Sequence, residues 1–182
     1  MPNDRLRNIA KMRTVNDGTR TLTESVIMPA LIDVLRDWST AGAGGVLIGD
    51  VALSFHARPR AASDLTFLVL QENAIPTSFD GFERTGAHTF RHLTTGIEVR
   101  VATPSPARAP LEIAEIVTAT SVLSDGIFIA SASGLVALLL FCPGLQAMAD
   151  IVTLVATGRV DLSGYPFPAD KLAAFATLTT GE

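Results

Sequence analysis

Residues 47–69 read LIGDVALSFHARPRAASDLTFLV, and their order of strand, glycine, helix, arginine loop and carboxylate organises the rest of the chain. GVLIG, residues 45–49, is too short and too apolar for anything but a buried strand. VALSFHA, residues 51–57, makes about two helical turns before Pro59 stops it. Asp50 follows the strand-end glycine directly, where a short carboxylate accepts the free N–H groups of a helix start; we therefore expect it to cap a helix from Val51 to Ala57. Arg58 and Arg60 flank Pro59, and Asp64 opens a second buried strand, LTFLVL at 65–70.

Upstream, Val26, Ile27, Ala30, Leu31, Val34, Leu35 and Trp38 recur at steps of three and four, the stripe of an amphipathic helix over 24–39. Thr23 is its expected N-cap, and AGAGG at 41–45 ends it. Residues 1–22 mix charge, Asn, Gly and Thr without an apolar period and read as an N-terminal arm. Downstream, 71–86 reads as a loop, and HTFRHLT and IEVRVAT on either side of Gly96 read as a hairpin. Helices are expected at 111–116, 132–141, 145–157 and 168–178, with a short strand at 127–129. Hairpins mixed with strand-helix-strand order predict an α+β fold: a small mixed β-sheet flanked by helices, with C-terminal helices. The expected organisation is the arm at 1–22 and one domain at 23–182, its sheet core at 23–130 and its helical part at 131–182.

The chain has 182 residues, enough for one substantial core and cramped for two. Charged residues make up 18% against about 25% in an average soluble domain, and 48% are hydrophobic, which leaves room for a buried subunit interface. A net charge of −4 without a dense basic cluster argues against nucleic-acid binding. The lone Cys142 forms no internal disulfide, so a reducing cytoplasm is the expected compartment. IFIASASGLVALLLFC at 127–142 falls short of the ~20 apolar residues of a membrane span and stops at Pro143, which argues against a membrane protein.

Gly49-Asp50, the short helix, the RPRAAS loop, Asp64-Leu65-Thr66 and Glu98 in GIEVRV together resemble the nucleotidyltransferase superfamily, the polymerase-beta-like fold, and its small bacterial members of the abortive-infection toxin type. The resemblance spans roughly residues 25–165. Relatives of this type often occur beside a toxin or antitoxin partner. The family ends its first strand in Gly-Gly or Gly-Ser, places Asp-x-Asp on the next strand and a third carboxylate on a later one. The resemblance implies that such acids clamp two Mg²⁺ ions around the attacking and leaving oxygens of a nucleoside triphosphate. Acids spaced by one residue on a strand share a face, and the third can take the proton of the attacking hydroxyl. By this resemblance Asp64 and Glu98 are the catalytic and metal-binding candidates, and Gly49, Asp50, Arg60 and Thr66 the substrate-binding ones.

Several positions depart from that pattern. Thr66 replaces the second acid and supplies no negative charge, while Asp50 stands where a small residue leaves the helix N–H groups open to phosphate. ASGLVALLLF puts Leu139 where the family has lysine; Gly144, Gln146 and Ala147 take the arginine and Lys-Asp places, and only Asp150 survives. One reading is a pseudoenzyme without a metal cofactor that binds a protein partner or ligand. The alternative is an active Mg²⁺-dependent enzyme moving a nucleoside monophosphate to a small molecule, a protein or a tRNA end. Arg60 matches a common family arginine that meets a phosphate; the other expectation is that it replaces a cation and pairs with Asp64, Asp50 or Glu98, because uncompensated carboxylates in a cleft without metal are costly. A third expectation is that the leucine-rich helix 134–141 forms a homo-oligomer interface. His88 and His92, in a strand-like run without cysteine or acid neighbours, make a poor zinc site, and His56 is expected to pack or to meet the end of its helix. Ser54, Ser63 and Cys142 lack a partnered base for nucleophilic catalysis.

Overall fold

The computed structural model describes residues 24–57, 62, 64–105 and 108–180. Thr23, the arm at 1–22, Arg58, Arg60 and Ser63 lie outside the described residues. Helix α1 (Glu24–Thr40) lays Ile27, Ala30, Leu31, Val34 and Trp38 into the core, the stripe its period predicts. Trp38 meets the rings of Phe67 and Phe79 edge-on, with centroids 4.8 and 5.5 Å away. That approach explains Gly45: a Cβ there would lie 2.9 Å from the Trp38 indole and 3.2 Å from the Leu68 carbonyl oxygen, so the helix and the sheet meet across a bare backbone.

Strand β1 (Val46–Ile48) leads into α2 (Gly49–His56) and then β2 (Asp64–Leu68), which returns antiparallel to β1. β3 (Phe82–Arg84), β4 (Thr89–His92) and β5 (Glu98–Ala102) form a meander, and β5 closes onto β2 in parallel. After α3 (Leu111–Ala119) the hairpin β6 (Val122–Ser124) and β7 (Ile127–Ile129) joins β1, with β7 parallel to it. Three helices follow: α4 (Ala132–Leu139), α5 (Leu145–Val155) and α6 (Ala169–Thr180). The result is one seven-stranded mixed sheet in the order β3-β4-β5-β2-β1-β7-β6 with flanking helices, the α+β class expected. Among the described residues, no helix is long and apolar enough to cross a membrane.

Three local expectations need correction. Residues 71–86 are not all loop, because they contain β3 and a 3₁₀ turn at Glu72–Ala74. β6 is an additional strand, a mostly exposed three-residue edge without the all-apolar run that marks β1 and β7. Helix α2 starts at Gly49, two residues earlier than expected; Ile48 holds the N-cap position without a side-chain cap bond, so Asp50 sits inside the first turn instead of capping it. The leucine-rich helix α4 is buried within this same chain through Ala132, Gly134, Leu135, Val136, Ala137 and Leu138. Its N-cap is Ser131, whose Oγ accepts the Gly134 N–H at 3.1 Å.

Candidate functional site

β2 and β5 run parallel with Asp64 opposite Glu98 and Thr66 opposite Arg100. The two-residue period of a strand therefore turns these four side chains to one face, while Leu65, Phe67, Val99 and Val101 are buried on the other. Arg100 is the residue that sequence reasoning missed. Its Nε donates to Glu98 Oε1 at 2.6 Å and lies 3.2 Å from Asp64 Oδ2, so one guanidinium bridges both expected acids. Thr66 Oγ1 adds a long hydrogen bond to Asp64 Oδ2 at 3.3 Å. The signal was present in the spacing: Glu98-Val99-Arg100 puts the arginine two residues from the acid and so on its face. What no local pattern carries is that β5 neighbours β2.

Electrostatically the three charges are unequal. The Asp64 side chain is only 16% exposed, and that burial pushes its carboxyl above the usual aspartate range; Arg100 and the Thr66 hydroxyl pull the other way, while Asp50 and Glu98 push further up. Arg100, with its side chain 57% exposed, is held above the ordinary arginine value, chiefly by its hydrogen bond to Glu98. The guanidinium is therefore a permanent cation at this spot, which no accessible pH removes.

Gly49 joins β1 to α2 with φ at +71°, a left-handed conformation in which its bare backbone faces Thr66. Asp50, one residue on, carries its charge in the first helical turn, where the helix dipole favours it, and lies close enough to Asp64 to raise that carboxyl. Gly49 and Asp50 also form one wall of a cleft of about 250 Å³. Leu139, Gln146, Ala147 and Asp150 line it from α4 and α5, so the C-terminal positions singled out from sequence do converge on the first-strand turn. Gln146 Nε2 donates to the buried Asp150 Oδ1 at 2.9 Å. Gly144 does not line this cleft; it is the N-cap residue of α5 with φ at +122°, a backbone requirement in its own right.

The remaining candidates have structural employment. His92 is buried and hydrogen-bonds Asp33 Oδ2 at 3.0 Å and Thr95 Oγ1 at 2.7 Å, tying β4 to α1. His56 Nε2 donates to the Ala130 carbonyl at 2.7 Å, and its ring stands edge-on to Phe55. Ser54 Oγ donates to the Asp50 carbonyl within α2. Cys142 is at the surface, yet partial burial pushes its thiol up, away from thiolate chemistry. Among the described residues no three His, Cys, Asp or Glu side chains form a metal-sized cluster. The proposed pairing of Arg60 lies outside the described residues.

A scan against protein-family models finds no match, and a search of curated proteins finds none either. Among solved structures, the chain is similar to that of an antigenic nucleotidyltransferase-like protein from Paracoccidioides brasiliensis, with a TM-score of 0.61 over 90% of this chain and 91% of that one. The chain has a nucleotidyltransferase-like fold. At 12% identity the likeness extends to the fold and no further. Within this nucleotidyltransferase-like fold, the turn after β1, the starts of β2 and β5, and the cleft against α4 and α5 all gather at one end of the sheet.

Proposed function

We propose that this protein keeps the nucleotidyltransferase-like frame as a pseudoenzyme, and that its cleft binds a ligand or a partner chain instead of transferring nucleotides. One observation carries the reading: the Arg100 guanidinium bridges Asp64 and Glu98 where two metal ions would need both carboxylates. Magnesium is a hard, octahedral cation that wants several carboxylate oxygens, and arginine competes for those oxygens without ever losing its charge. Thr66 withholds the charge of a second acid from β2, so the donor set here does not fit two magnesium ions. Leu139 and the acids Asp50 and Asp150 line the adjoining cleft, a poor lining for a triphosphate. A cytoplasmic location, suggested by the lone cysteine, and a toxin or antitoxin setting, suggested by the resemblance, belong to the same proposal.

The alternative reading is an active, metal-dependent nucleotidyltransferase, and it rests on the in-register placement of Asp64 beside Glu98 on adjacent strands. The two readings separate experimentally. Incubation with labelled nucleoside triphosphates and Mg²⁺ or Mn²⁺, with RNA, protein and small-molecule acceptors, is expected to give no transfer. Label transfer abolished by Asp64→Ala would establish the active enzyme. A thermal scan with millimolar MgATP is likewise expected to leave the melting temperature unchanged, whereas a working site binding nucleotide at 100 times its Kd would add about 2.7 kcal/mol of stability.

A further inference from the structure

At the opposite end of β1 and β2 from Asp64, a groove of about 600 Å³ opens between the start of β1, the end of β2 and the loop after α3. From its size, lining and hydrogen-bonding pattern we propose that this groove is a second binding site, for an uncharged small molecule with an apolar body and one hydrogen-bond donor at its end. The volume lies within the roughly 300–1,000 Å³ of small-molecule sites, which are mostly apolar with a few placed polar groups. None of the twelve residues that line it is charged, so a charged ligand would be desolvated there with no side-chain counter-charge in the lining.

The walls are Val46, Leu68, Leu70 and Phe128. The polar groups select the ligand's end. Thr118 Oγ1 already donates to the Ala114 carbonyl at 2.9 Å, and Ser121 Oγ donates to the Thr118 carbonyl at 2.8 Å. With their protons committed, both hydroxyl oxygens keep only acceptor capacity, and the Gln71 carboxamide in the lining can accept as well as donate, so an O–H or N–H donor is the group that all three can receive. Gly44 adds a further clue. A Cβ at this lining residue would meet nothing within 4 Å, so the bare backbone there keeps space open and no packing contact among the described residues demands it. Gly45, beside it, is by contrast required by Trp38 and Leu68.

The same freedom at Gly44 supplies the test. The probe is 1-aminoanthracene, an apolar ring system with one amine donor, whose fluorescence rises on leaving water. We expect saturable binding at one site per chain, displaced by 1-decanol at least tenfold more effectively than by decanoate. Gly44→Phe, which fills the groove, and Ala74→Trp, which fills it from the 3₁₀ turn, should each weaken binding at least tenfold with an unchanged melting profile. Should Gly44→Phe fail to fold, Ala74→Trp carries the test alone. Leu145→Gln, at an exposed apolar position on α5 remote from the groove, should bind the probe as the wild type does. The proposal is overturned by absence of saturable binding, by binding that survives in the folded groove variants, by loss of binding in Leu145→Gln, or by decanoate matching decanol. None of these outcomes depends on whether the site around Asp64 handles nucleotides.

Discussion

Arg100 and Asp64 form an uneven pair, and their difference gives two predictions at the scale of single residues. Asp64 has a raised carboxyl pKa, so between the ordinary aspartate value and its raised value the folded chain holds more protons than the unfolded one. Stability therefore falls as pH rises through that window and stays lower above it. Asp64→Asn removes the ionising group, so it should unfold at a higher temperature than the wild type at pH 7, with the two melting curves converging below the ordinary aspartate range. A melting series across pH that shows Asp64→Asn less stable at neutrality would mean that the Arg100 attraction outweighs burial. Arg100 itself is largely exposed, and exposed ion pairs contribute at most about 1 kcal/mol, so Arg100→Gln should cost no more than that in urea unfolding. Its larger effect should be on cation affinity: with the guanidinium gone, Asp64 and Glu98 are left to a divalent ion, and calorimetric titration with Mn²⁺ should show binding in the variant that is at least tenfold tighter than in the wild type.

The element that decides the shape of the cleft is the turn from β1 into α2. Gly49 takes φ +71° there, and a Cβ would sit at ordinary contact distance from Thr66, 3.5 Å from its Cβ, so side-chain crowding is not what demands glycine. The demand comes from the backbone, since left-handed φ costs an L-residue about 1–2 kcal/mol. Gly49→Ala should therefore lower stability by that amount in urea unfolding, and Gly49→Asn by less, because asparagine tolerates the conformation better. Equal losses in the two variants would point to packing against Thr66 instead. Helix α4 stands at the other wall, and its Ser131 cap gives an independent check on the same scale. Ser131→Ala should cost about 1 kcal/mol, and hydrogen exchange should show the first turn of α4 opening more readily.

For the whole molecule, the sheet is continuous from β3 to β6, and α4 packs against α2, α3 and α5, so the helical C-terminal part shares its core with the sheet. We expect the two parts to melt together, with a calorimetric to van't Hoff enthalpy ratio of about 1. Two resolved transitions would divide the chain near residue 131. The molecule also separates the cleft from the apolar groove. The cleft against α4 and α5 lies at the end of β1, and the apolar groove at its beginning.

Local chemistry was enough to place every element with a strong period or a firm stop. The stripe from Ile27 to Trp38 set α1, and the β-formers around Gly96 set the β4–β5 hairpin. Asp64 at the head of a strand and the fold class were legible for the same reason, because adjacent residues carry those signals. The edge strands β3 and β6 were not, since they are largely exposed and lack the all-apolar run that marked the equally short β1 and β7. Nor was the start of α2, where a positive φ at Gly49 let the helix begin before the expected cap at Asp50. Above all, no local pattern says which strands become neighbours. Only the folded sheet set β5 parallel to β2 in a register that carries Arg100 onto Asp64, because pairing between strands distant in sequence is fixed by the packing of both buried faces at once.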